Sequence, residues 1–115
     1  LLATYRDDDE SLERAYTVAR RLSGTNIPPF QDTYGWIQFR RGDVQEALRY
    51  LEPAALRLQG DPIVQYHYAK ALQAAGRDDD AKNAFQRALD IAGESDSRAQ
   101  IEDARAQIEL LSAEN

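Results

Sequence analysis

Displaced by 34 residues, this sequence falls on itself: Gln31 lands on Gln65, Tyr34 on Tyr68, Gly42 on Gly76, Ala47 on Ala81, Leu51 on Phe85 and Ala54 on Ala88. A fixed period of this length constrains the fold more than any local feature. Each copy is one supersecondary unit that cannot bury its apolar face alone and must stack on its neighbour. Within each copy a glycine turn, Arg41-Gly42-Asp43 and then Ala75-Gly76-Arg77-Asp78, separates two segments that read as helices.

The second helix of the first full copy places Ala47, Leu51, Ala54, Ala55 and Leu58 on one stripe. The next copy repeats it with Ala81, Phe85, Ala88, Leu89 and Ala92, the spacing of an amphipathic helix. Alanine recurs because two helices approach closely only where side chains are small, while large apolar neighbours fill the flanking grooves. Punctuation agrees with these limits. Asp43 followed by Glu46 predicts a capping box, Asp78 is expected to open the next second helix, and Asp61-Pro62 sets an acceptor at the N-cap and proline at the first helical position. Gly42 and Gly76 are expected to end helices with positive φ. Pro53 lies inside a second helix, where it removes the bond to the Arg49 carbonyl and predicts a bend.

The flanks fit the same scheme. Leu12, Ala15, Ala19 and Leu22 form a helical stripe, and Leu1 to Arg6 reads as the tail of a preceding helix. Ser97-x-x-Gln100 opens a last helix whose apolar residues Ile101, Ala104, Ile108 and Leu111 make one narrow stripe, as a terminal solvating helix requires. The same spacing could seed a coiled coil, but too few heptads are present. The expected organisation is a partial repeat over 1–24, full repeats over 28–61 and 62–95, and a capping helix with tail over 96–115.

Composition excludes several classes. A hydrophobic share of 43% with 30% charged residues is that of a folding chain, and a net charge of −6 repels phosphate backbones, so nucleic acid is not an expected partner. No apolar run approaches the roughly 20 residues that cross a bilayer, so no direct membrane insertion is expected. The absence of cysteine removes disulfides and thiolate metal sites without fixing a compartment. The chain starts Leu1-Leu2 and contains no Met, which reads as a piece of something longer, whose upstream residues would carry any targeting signal.

Tyr34-Gly35 with Ala47-x-x-x-Leu51, and Tyr68-Ala69-x-x-Leu72 with Ala81-x-x-x-Phe85, resemble the tetratricopeptide repeat signature. The resemblance spans essentially the whole chain and implies an all-α fold, a right-handed α-solenoid of helix-turn-helix repeats. Asp32-Thr33-Tyr34-Gly35-Trp36, Arg41-Gly42-Asp43 and Tyr66-His67-Tyr68-Ala69 resemble the C-terminal repeats of bacterial tetratricopeptide proteins, some of which serve exopolysaccharide export or envelope assembly. That likeness is compatible with either the bacterial cytoplasm or the envelope. The sequence departs from the signature at its tryptophan position, which is Gln31 and Gln65 here, and at its tyrosine position, Gln38 in the first copy.

The resemblance implies a protein or peptide partner held on a concave surface lined by first helices. The matching positions are Asp32, Trp36, Phe39 and Arg40, then Tyr66, Lys70 and Gln73. Aromatic residues and Arg offer much contact area for little side-chain entropy. Trp36 and Phe39 equally suit packing against the next repeat, with Tyr66 and Arg40 expected to be the more accessible. A clamp for a C-terminal carboxylate, as in chaperone-binding relatives, is not expected, because Asp32 and Tyr66 stand where it wants Lys, and Trp36 and Lys70 where it wants Asn.

No cofactor, metal or catalytic residue is expected. Asp7-Asp8-Asp9 and Asp78-Asp79-Asp80 lack the alternate spacing of a calcium loop and suit helix starts, where carboxylates meet the positive end of the dipole. His67 is the sole histidine and is expected at the surface or between repeats. The serines lie in caps or tails, and no glycine-rich phosphate loop appears. The alternative to partner binding is a structural or self-associating segment of a longer array, a possible homo-oligomer using its N-terminal face or its last helix.

Overall fold

A computed structural model describes residues 10–22 and 26–113. The Leu1 to Arg6 segment, the first aspartate triplet and the side chains of Ala19 and Leu22 lie outside the described residues. Among those described there are α-helices and no strand: α1 (Leu12–Ala19, continued by a 3₁₀ turn to Leu22), α2 (Pro28–Arg40), α3 (Val44–Arg57), α4 (Pro62–Ala74), α5 (Asp78–Ala92) and α6 (Ala99–Ala113). The pairs α2–α3 and α4–α5 are the two hairpins of the repeat. Helix α4 packs on both helices of the first pair, and α6 packs on both helices of the second in the same way. The result is an all-α helical-repeat solenoid.

Both hairpin turns have one geometry. The Asp43 N–H reaches the Gln38 carbonyl and the Gly42 N–H the Phe39 carbonyl, each at 2.9 Å. The Arg77 and Gly76 N–H groups repeat this on Leu72 and Gln73, each at 3.0 Å. These are Schellman closures, and they need positive φ at C′, which Gly42 (91°) and Gly76 (81°) supply. Asp43 Oδ1 accepts from the Glu46 N–H at 3.2 Å, and Asp61 Oδ1 accepts from Ile63 and Val64 at 3.0 and 3.3 Å, so both aspartates cap as the sequence predicts. The Asp43 N–H, however, is spent on the Gln38 carbonyl, and only the N-cap half of the capping box forms.

Two expected starts are corrected. The N-cap of α5 is Arg77, the residue in register with Asp43, while Asp78–Asp80 fill the first turn and Asp80 pairs with Arg77 at 2.8 Å. Before α6 the accepting side chain is that of Asp96, on the Arg98 N–H at 3.0 Å, and the helix begins at Ala99 rather than behind Ser97. Helix α3 runs through Pro53 to Arg57. Its far end is held from outside, because the Gln65 amide donates to the carbonyls of Ala55 (2.9 Å) and Leu58 (3.2 Å). A polar residue thus fits the signature's tryptophan position: it satisfies carbonyls that a helix end would otherwise leave unpaired.

Ala47, Leu51, Ala54, Ala81, Phe85 and Ala88 are all fully buried, so the two stripes form the core. Gly35 is required by proximity. A Cβ there would stand 2.7 Å from Leu51 Cγ and 3.2 Å from the Ala47 carbonyl, so α2 and α3 approach at this point more closely than alanine allows. The narrow stripe of α6 is covered as its pattern predicts, with Ile101, Ala104 and Leu111 buried and Ile108 packed on the same cluster as Phe85. On the other flank Arg41 ties α1 to α2. Its guanidinium lies 3.7 Å from the Tyr16 ring centre and bonds Glu13 at 2.9 Å.

Candidate binding face

Helices α2, α4 and α6 follow one another along the stack, α6 packing on the second pair as α4 packs on the first, and their side chains meet in a belt. On α2, Trp36 is half-buried and flanked by two rings, stacking on Phe39 with centres 4.8 Å apart and on His67 of α4 at 4.1 Å. Its third neighbour is Tyr66, at 6.3 Å. His67 Nδ1 is also hydrogen-bonded to Asp32 Oδ1 at 2.8 Å, which fixes the ring against α2. Between α4 and α6 the belt is polar. The Tyr66 hydroxyl donates to Asp103 Oδ2 at 2.5 Å, Lys70 Nζ lies 3.4 Å from the same oxygen, and Gln73 donates to Gln107 at 2.8 Å. Gln107 in turn donates to Asp103 Oδ1 at 3.1 Å.

The structure therefore brings six of the seven sequence-predicted residues into one belt of contacts, with Arg40 on the same helix as Trp36, but not with the expected exposure. Tyr66, expected to be accessible, is buried at 8% exposure, because α6 lies over it and Phe85 packs beneath with ring centres 6.0 Å apart. Arg40 is exposed, as expected. Trp36 and Phe39 do both things foreseen for them: they pack across the repeat boundary and stay partly open. Three residues of the belt were missed as contacts. His67 carries only the broad expectation of a surface or inter-repeat position, and Asp103 and Gln107 belong to a helix whose sequence pattern is an apolar stripe.

Burial and the hydrogen bond to Asp103 push the Tyr66 phenol far above its ordinary value. Burial also works to raise the Asp103 carboxyl, but the hydrogen bonds from Tyr66 and Gln107 and the Lys70 charge outweigh it and hold the group below the usual carboxylate value. The signs follow by linkage. A depressed carboxyl contributes stability above its unfolded value and loses it as pH falls through the lower folded one. A raised phenol contributes below about pH 10 and loses it above. The gap in melting temperature between the wild-type chain and Asp103→Asn is therefore expected to be constant near neutrality and to narrow below about pH 4. A gap unchanged down to acid pH would show that the Asp103 carboxylate does not hold α6.

A groove of about 440 Å³ opens elsewhere, between the second helices α3 and α5, lined among others by Leu56, Tyr68, Arg87 and Ile91. None of the sequence-predicted site residues lines it. Among the described residues there is no group of three or more His, Cys, Asp or Glu side chains that could hold a metal ion, and no helix long and apolar enough to cross a membrane.

Helix pairs stacked in one register define an α-solenoid, an architecture that presents extended surfaces. The family model for the tetratricopeptide repeat matches residues 38–108, more than half of the chain, and the chain belongs to that family. No curated protein matches the chain. Tetratricopeptide repeats generally mediate protein–protein interactions and are typically non-catalytic scaffolds.

Proposed function

We propose that this chain is a non-catalytic scaffold that holds a segment of a partner protein along the face of α2 and α4. The observation that carries the reading is the Phe39–Trp36–His67 stack, a partly open aromatic surface with Asp32 and Arg40 on the same helix and Lys70 one turn beyond His67. Stacked rings are rigid, so they offer contact area without an ordering cost, and the charges beside them give direction to a bound segment. The complementary segment is a short stretch with an apolar or aromatic anchor flanked by acidic and basic groups, in extended or helical form. In this reading Asp32, Trp36, Phe39, Arg40 and Lys70 make contact. Tyr66 and Gln73 support them through Asp103 and Gln107.

Trp36 is the sole tryptophan of the chain, so its emission reports directly on the face. Peptides selected for binding from a random displayed library are expected to shift that emission. Arg40→Glu with Lys70→Glu should weaken the same peptides by about tenfold or more, roughly 1.4 kcal/mol. Selected peptides that bind this double variant as well as wild type and leave Trp36 emission unchanged would show that the face is not the binding site.

A further inference from the structure

The two ends of the described array carry opposite charge on exposed helical stripes. On α1 and its continuing 3₁₀ turn, Arg14, Val18 and Arg21 follow at i, i+4 and i+7; all three are exposed, Val18 at 69%. On α6, Glu102, Ala106 and Glu109 stand at the same spacing, also exposed, beside Leu110 at 56%. Helix α4 starts at residue 62 and α6 at 99, an offset of 37, so Ala106 occupies the place held by Ala69 in α4 and, 34 residues earlier, by Gly35 in α2. In α2 that place is where its second helix closes in. In α6 it faces solvent.

Laid antiparallel, as first and second helices pair within the repeat, the stripes set Arg14 against Glu109 and Arg21 against Glu102, with Val18 over Ala106. Two α6 stripes laid together would instead oppose Glu102 to Glu109, and like charges repel. The ion pairs these groups already make, Arg14–Glu10 at 3.9 Å and Arg105–Glu102 at 2.7 Å, lie within a single helical turn or so at the surface and are weak and exchangeable. We propose that α6 of one copy docks on the α1 end of a second copy of this chain, head to tail. Such a contact is heterologous: it leaves one acidic and one basic end open, so it extends rather than closing as a symmetric dimer. It uses none of the residues of the proposed partner face, so either reading can fail without the other.

Sedimentation velocity over a concentration series tests it. The wild-type chain is expected to associate reversibly, and more weakly as salt is raised. Glu102→Arg with Glu109→Arg, and separately Arg14→Glu with Arg21→Glu, are each expected to weaken association at least about tenfold. Their equimolar mixture is expected to recover it, because reversed charges meet. Glu102→Gln with Glu109→Gln, neutral and nearly isosteric, should weaken association and flatten its salt dependence even if a charge reversal disturbs folding. A wild-type chain that stays monomeric throughout overturns the proposal. So do neutral variants that associate with unchanged affinity and salt dependence, or a mixture that stays monomeric while both partners keep wild-type helical content.

Discussion

A chain ending at Glu94, and so lacking α6, is expected to melt at least about 10 °C below the full chain and to lose cooperativity. The reason lies in what α6 covers. Ile101, Ala104 and Leu111 are buried and Ile108 is partly so, and Ala104, Leu111 and Ile108 share one cluster with Phe85, Ala84, Ala88 and Tyr66. Burial of a large aliphatic side chain is worth about 1.5–3 kcal/mol, so the helix contributes several kcal/mol before the entropy of ordering it is subtracted. A loss of 2 kcal/mol or so already corresponds to roughly 10 °C in a domain of this size. Removing α6 also strips Tyr66 and Lys70 of Asp103, and Gln73 of Gln107. Thermal melts followed by circular dichroism decide the matter. An unchanged midpoint would mean that α6 is an appendage and not part of the stack.

Phe85→Ala is expected to cost about 3–5 kcal/mol, a large part of the 5–15 kcal/mol that holds a typical domain together. The side chain is fully buried and lies under both α4 and α6, with Tyr66 against its ring. Few of its neighbours can move into the space it leaves, since Ala69, Ala81, Ala84 and Ala88 are short and fixed on helices. Leu51 occupies the same place one repeat earlier, and Leu51→Ala is expected to cost about 2–5 kcal/mol for the same reason. Denaturant midpoints with unchanged slopes would measure both. A cost below 1 kcal/mol at either position would contradict the equivalence of the two stripes.

Most of the fold was legible because it is written twice. Gly42 and Gly76, Leu51 and Phe85, and the two runs of small residues stand in register, so each supports the reading of the other. The face was legible only in part, and Tyr66 shows why. Its covering partner is Asp103, 37 residues on, whereas a strict period of 34 leads to Gln100. Two of the three residues of shift come from the connection, since residues 58–61 join α3 to α4 but 93–98 join α5 to α6, and the third comes from α5, which runs one residue longer than α3. The longer link is held by Arg105, which donates to the carbonyls of Asp96, Gly93 and Glu94 at 3.1–3.3 Å, a tertiary cap that no local pattern announces. With the register slipped and the signature residues replaced, the last helix reads as a solvating helix, and the polar contacts it makes with α4 are hidden. His67 was hidden differently. A lone histidine carries no pattern, and its anchors Asp32 and Trp36 come from the preceding repeat. Arg77 in place of an expected aspartate cap is a one-residue matter of boundaries.

Amide chemical-shift mapping of the chain with a library-selected peptide tests the central claim most directly, because it locates the bound segment without prior choice of residues. The largest shifts are expected on α2 and α4, at Asp32, Trp36, Phe39, Arg40, His67 and Lys70, with the outer faces of α3 and α5 silent. Shifts concentrated around Leu56, Arg87 and Ile91, in the groove between the second helices, with Trp36 unmoved would contradict it.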